Sequence, residues 1–349
     1  LTRQQQSEAL SVSFEYTQSG QLKRQSLHRT DSIHSDYIEY HYDVLGQITE
    51  HSNPMGKIQR YVYSASGDRF VESTSVDGER ELTFNDGVRY RLNQAGQLVA
   101  RESEARSDRL DWDENECLSD FYDIGEREPR YQYRYDALRR RISKTCINIT
   151  GQTQQVTYFI WDGDALAAEV SFAPLSEKTE AKLDARFFVY YLNTFEPLIL
   201  QCKQQGIGSL APPGEIGYYF YQNDPNGMPL RLHDAQGEIV WSAHYTVFGQ
   251  TDKLDEIKVK QPLRLQGQYF DEESGLHYNR HRYYDPATGV FVSQDPIGLL
   301  GGINLYQYAP NPLMWIDPWG WAFGGVDFTG SPDLFPVKGN QLNIVEITM

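Results

Sequence analysis

Tyr40-His-Tyr42-Asp43-Val-Leu-Gly46-Gln-Ile48-Thr49 decides how the rest of the chain is read. Tyr40 and Tyr42 alternate as side chains do on one face of a strand, where aromatic rings suit the pleated surface. Asp43 opens a turn with its own side chain, and Gly46 supplies the positive φ. Ile48 starts the return strand, so the unit is a β-hairpin. It recurs as Tyr61-Val-Tyr63-Ser64-Ala-Ser-Gly67 with Phe70 beyond it. Looser copies are Phe14-Glu-Tyr16 to Gly20 and Tyr90-Arg-Leu92 to Gly96. A further form, Tyr131-Gln-Tyr133-Arg-Tyr135-Asp136, continues to Ile142 and has Arg139 where the others have glycine. That turn must differ, or tolerate strain. Units that cannot bury a face alone stack on their neighbours, which predicts one long sheet.

The composition agrees with a β-rich body. Tyrosine, at 24 of 349 residues, is the outlier, and it favours strands. Helical period is scarce, with Leu166–Val170 and Lys182–Phe187 the modest candidates. Gly206–Gly214 reads as a loop within the body. The charge-rich stretch Glu102–Glu116 reads as a solvated loop or edge. The net charge of −16 argues against a nucleic-acid surface here, and reads as a solvated acidic exterior. Cys117, Cys146 and Cys202 lack metal-ligand or redox spacing and are read as reduced and buried. No apolar run approaches the roughly 18 residues of a membrane span. A chain that starts at Leu1 is expected to be a fragment of a longer protein.

From about Gln261 the texture changes. Gly275-Leu-His277-Tyr-Asn-Arg280-His-Arg282-Tyr283-Tyr284-Asp285-Pro286 is followed by Gln294-Asp295-Pro296-Ile-Gly298. Gly301-Gly302-Ile-Asn304-Leu305-Tyr306, Asn311-Pro312 and Asp317-Pro318-Trp-Gly320 come next. This is a chain of tight turns. The eight histidines form no ligand cluster, and Gly298–Gly302 lacks the Lys-Ser/Thr of a phosphate loop. No cofactor or metal is expected.

Leu265–Gly320 resembles the Rhs-associated core domain almost residue for residue, above all in the run from Asp295 to Pro312 and in Asp317-Pro-Trp-Gly. Upstream, Tyr158-Phe-Ile-Trp161-Asp-Gly-Asp-Ala-Leu166 and Tyr218–Gly249 are also similar to that family, and the tyrosine hairpins match its YD repeats. The resemblance covers roughly residues 10–321. It implies an all-β fold, a YD-repeat hairpin spiral forming a hollow cocoon closed by a turn-rich core plug. It divides the chain into a shell over 1–260, the core over 261–321 and the start of a C-terminal toxin over 322–349. It also implies that the core cuts its own chain after the residue following Asp-Pro-x-Gly. Here that bond is Trp321–Ala322, and Trp321 stands where the family usually has Leu.

Two carboxylates that share a proton can hydrolyse a peptide bond, because close like charges push one pKa up and the other down. By resemblance, Asp295 and Asp317 are the expected pair. Read alone, each Asp before Pro is an ordinary turn opener, and Asp285 is expected to remain one. Arg282 either orients a carboxylate or polarises the carbonyl, or pairs with Asp285. The tail after Ala322 is similar to the start of HNH-type nucleases, whose metal-binding histidines would lie beyond Met349.

The resemblance implies a toxin made in the bacterial cytoplasm and then secreted or delivered into a target cell. Its expected partners are the enclosed C-terminal toxin, a cognate immunity protein, and a secretion-system spike or chaperone reached through the preceding part of the protein. A cell-surface binding scaffold and an insecticidal toxin-complex cocoon subunit are the alternatives.

Overall fold

A computed structural model describes residues 2–321 except 8–9, 30–35, 53–55, 57, 66, 77–78, 85–86, 105–106, 124, 174–180 and 208–215, together with residues 324–325. Six strands, from Thr2–Ser7 to Ile58–Arg60, form one sheet, and sixteen, from Phe70–Val76 to Thr251–Ile257, form a second. Within each sheet every strand pairs with its neighbour in sequence, and all these pairings are antiparallel. The wall is two runs of hairpins, broken between Arg60 and Phe70.

The turns are built as the repeat predicts. Asp43 Oδ1 accepts the N–H groups of Leu45 and Gln47, both at 2.9 Å, and Gly46 takes φ 82°. Asp136 does the same for Leu138 and Arg140. Arg139 there sits at φ 61°, a left-handed residue with a side chain, so this turn keeps its shape and bears the strain. Asn148, Asp224 and Asp234 open equivalent turns.

Several local expectations are corrected. Leu166–Val170 lies in the strand Ala165–Ala173, and Lys182–Phe187 in the strand Ala181–Tyr190. Ala168 pairs with Phe187, and burial alternates from exposed Phe187 to buried Phe188, so a period of two governs the segment. Glu102–Glu116 is no solvated loop throughout. Ser107–Trp112 is a strand paired on both edges, with Leu110 fully buried. Its charge is absorbed by a buried ion pair, Arg101 to Asp108 at 2.6 Å. The three cysteines are free and half-buried rather than buried. The Gly206–Gly214 loop lies outside the described residues from position 208 on.

The wall curls around the turn-rich segment after residue 260. Within that segment Tyr269–Phe270, His277–Asn279, Arg282–Asp285 and Val290–Phe291 form a small four-stranded sheet. Its tyrosines Tyr269, Tyr278 and Tyr283 share one core with Tyr90, Leu110, Phe121, Tyr133, Phe159 and Leu200 of the wall. Charged ties cross the same boundary. Arg101 binds Asp285 at 2.6 Å, Lys144 binds Asp271 and Glu273, and Tyr269 donates to Glu169 at 2.5 Å.

A second core closes the circuit. Phe14, Leu22, Tyr40, Ile48 and Tyr61 of the first sheet pack with Val247 and Phe248, near the far end of the wall. Arg69 stacks on Phe248 and donates to the carbonyl of Thr288. The sheet has turned back on itself, so the fold is a β-spiral cocoon closed by a turn-rich plug.

Candidate active site

Arg282 organises the site. It sits on the small-sheet strand Arg282–Asp285, 2% exposed, with its guanidinium 3.6 Å from the centroid of Phe291. Four acceptors surround it. Nε donates to the Gly320 carbonyl at 2.6 Å and Nη1 to the Leu305 carbonyl at 3.1 Å. Nη2 faces Asp317 Oδ2 at 3.2 Å and Asp295 Oδ2 at 3.3 Å. The two aspartates are thus brought together across the sequence through one guanidinium nitrogen that faces both.

Each carboxylate is fixed by local backbone. Asp295 Oδ1 accepts the Ile297 N–H at 3.0 Å, the Asx turn expected of Asp-Pro. Asp317 Oδ1 accepts the Trp321 N–H at 2.9 Å. The Asp317–Gly320 turn is docked on the plug by Asn279, whose side chain donates to the Asp317 carbonyl at 2.8 Å. Gly320 has φ 68°, and a Cβ there would come within 2.7 Å of the Asn279 carbonyl oxygen, so this turn needs glycine twice over.

The carbonyl oxygen of Trp321 and the carboxyl of Asp295 both lie against Gly301. A Cβ placed on Gly301 would lie 2.7 Å from that carbonyl oxygen and overlap Asp295 Oδ2, so the bare glycine is what leaves room for both. Trp321 itself is 37% exposed, its indole stacked on His281 with ring centroids 4.3 Å apart. Ala322 lies outside the described residues.

Burial pushes Asp317 up to about 6, against the pull of Arg282 and the Trp321 N–H, with Asp295 pushing the same way. Burial also raises Asp295, opposed by Arg282. Arg282 is lowered by its own burial, opposed by Asp317 and then Asp295. Two carboxyl groups raised above their usual range and facing one guanidinium nitrogen can hold a proton between them.

Asp285 stands apart from this cluster. It pairs with Arg101 and accepts from Tyr90, so Arg282 is not its partner. Gly301, Asn279 and His281 were missed by sequence reasoning. The Gly301-Gly302 pair was the one signal, since adjacent glycines mark a close approach of backbone to something else. No group of three or more His, Cys, Asp or Glu among the described residues could hold a metal ion.

Family models match along the same chain. The Teneurin YD-shell matches residues 2–166 and the RHS protein model residues 219–255. The chain belongs to the Rhs family of YD-shell proteins. This Rhs shell is 31% identical over 311 residues to the double-stranded DNA deaminase toxin A of Burkholderia cenocepacia, covering 84% of the chain and 21% of that protein. It is 33% identical over 347 residues to the toxin protein Tse5 of Pseudomonas aeruginosa, covering 81% of the chain and 25% of that protein. The probable deoxyribonuclease RhsA of Dickeya dadantii is 30% identical over 295 residues, with coverages of 81% and 19%. The chain spans about a fifth to a quarter of the length of these curated relatives. The crystal structure of TcdB2-TccC3-Cdc42 shares the fold of the Rhs shell at a TM-score of 0.57 and 16% identity, over 89% of this chain and 18% of that one. A second crystal structure, TcdB2-TccC3 without its hypervariable C-terminal region, gives a TM-score of 0.55.

Proposed function

We propose that this chain is the closing part of a polymorphic-toxin shell, and that it hydrolyses its own Trp321–Ala322 bond to release the polypeptide that follows. The observation that carries this reading is the arrangement around Trp321. Its N–H is bound by Asp317, its carbonyl oxygen and Asp295 both lie against Gly301, and Arg282 holds both carboxylates.

The chemistry follows from those positions. The two carboxyl groups share one proton, and the protonated member hydrogen-bonds the Trp321 carbonyl oxygen and makes its carbon electrophilic. The ionised member takes a proton from a water that attacks this carbon. The C–N bond then breaks, and the proton passes to the departing amine of Ala322. The substrate belongs to the same chain, so its approach costs no association entropy. Arg282 offsets the negative charge that builds up between the two carboxylates.

The enclosed toxin, its immunity protein and the secretion machinery are the partners this reading requires. Relatives named as a DNA deaminase toxin and as probable deoxyribonucleases support a cargo that acts on nucleic acid, and an HNH-type nuclease fits that class.

Intact mass under denaturing conditions tests the proposal on the wild-type chain and on Asp317→Asn. Two fragments split at Trp321–Ala322 in the wild type alone are expected. An uncut wild type would leave a passive shell or binding scaffold. A split at an Asp-Pro bond would point to acid scission during handling.

A further inference from the structure

The residues just before the proposed cut are held by two ring contacts on different parts of the molecule. Trp319 meets Phe195 of the wall edge to face, with centroids 5.3 Å apart. Trp321 lies over His281 of the plug at 4.3 Å, with the planes 24° apart. The backbone N–H of His281 also donates to the Trp319 carbonyl at 3.2 Å, so one residue grips this stretch by main chain and by ring.

His281 is itself firmly placed. It follows Arg280, which takes the left-handed φ of 56° and whose side chain is anchored to Asp164 of the wall at 2.9 Å. On its other side stands Arg282, the residue that holds both aspartates. Burial, with Arg280, Arg139 and Arg282 adding to it against the pull of Asp164, brings the imidazole down to about 4, so the ring meets the indole uncharged. The indole remains partly open to solvent. What it rests on is a flat aromatic face, and flat side chains suit a stacked arrangement.

We propose that His281 is the residue that determines which side chain is accepted before the cut: its imidazole face seats a planar side chain and thereby sets the Trp321 carbonyl against Asp295. This rests on the reading that the chain cuts itself after Trp321. The seat is a face partly open to solvent, which leaves room for a side chain as large as Trp321. His281 is a positioning residue and takes no part in proton transfer.

The test is the rate at which the full chain, refolded from denaturant, splits at Trp321–Ala322, followed by intact mass. His281→Ala is expected to slow the split by about tenfold, and His281→Phe to keep it within about twofold of wild type, because misplacing the reacting carbonyl is costly and an aromatic face restores it. In the Trp321→Leu background the same His281→Ala change is expected to have little effect. Equal slowing in both backgrounds, or no slowing in either, overturns the proposal.

If the wild type does not split, self-cleavage fails and the seat is read separately. Added chymotrypsin, which cuts after exposed aromatic residues, is then expected to cleave after Trp321 faster in His281→Ala than in wild type or His281→Phe. Equal cleavage in all three overturns the seat.

Discussion

Arg141 and Asp271 meet at 2.5 Å with no solvent exposure on either side chain, 130 residues apart in sequence. One belongs to the wall and the other to the plug, so this pair rivets them together. The guanidinium also faces the rings of Phe159 and Tyr278 at 4.5 and 4.4 Å. A buried pair adds little net stability over an apolar replacement, but removing one member strands the other charge.

Asp271→Asn should therefore destabilise the chain by about 3–5 kcal/mol, with Arg141 left buried and uncompensated. Thermal unfolding reads the loss. Replacing both residues together should cost less than the sum of the two single changes, and additive losses would mean that the pair does not act as one unit.

Gly301→Ala separates the site from the fold. Gly301 has φ −81°, which alanine adopts without strain, yet the new methyl would collide with Asp295 and crowd the Trp321 carbonyl. The variant should melt close to wild type and remain uncut. A normal rate of splitting would show that the carbonyl does not need to lie beside Asp295.

The acidity of Asp317 fixes a direction in pH. Burial raises it to about 6, further than Asp295, so Asp317 is the member that holds the shared proton. The rate of splitting should fall as the pH is raised through 6. Refolding the unfolded, uncut chain at a series of pH values measures this, and a rate that rises above pH 6 would assign Asp317 the base role instead.

Asp224 gives a stability test away from the site, at the seam where the first sheet returns. Burial pushes it up to about 7, although the Met228 and Asn226 N–H groups pull the other way. A raised carboxylic pKa favours the folded state at low pH, and this contribution disappears as the pH rises through 7. Asp224→Asn keeps an oxygen for both N–H groups. It should stabilise the chain by a few kcal/mol at pH 8 and have little effect at about pH 4, as read by thermal unfolding. The same gain at both values would rule out a titrating Asp224 as the cause.

The wall was legible because its information is local. Asp43 and Gly46 specify a hairpin within four residues, and the same signals recur wherever Asp, Asn or Gly fall at that spacing. Arg139 shows that the turn survives without glycine when the opening Asp remains. What misled was charge. Asp108 looks solvent-bound in sequence, but it pairs with Arg101 on the neighbouring strand, and Arg101 in turn reaches the distant Asp285. At the candidate site, Asp295 and Asp317 were expected by resemblance and Arg282 as a candidate to orient a carboxylate, and the three lie together. Gly301, Asn279 and His281 matter through contacts that span 20 to 40 residues, and nothing local announces those.

The hairpin wall also orders events in time. Strands that pair only with their sequence neighbours can be laid down as the chain is synthesised, with little loop-closure cost at each step. The seam at Phe248 and the cluster around Arg282 are different, because they join residues far apart in the sequence. Asp295, Asp317 and Trp321 are assembled only on a seated plug, and a seated plug needs a completed wall. On the proposed reading, the cut therefore waits until this stretch of wall has closed on its plug, with no clock beyond the order of synthesis.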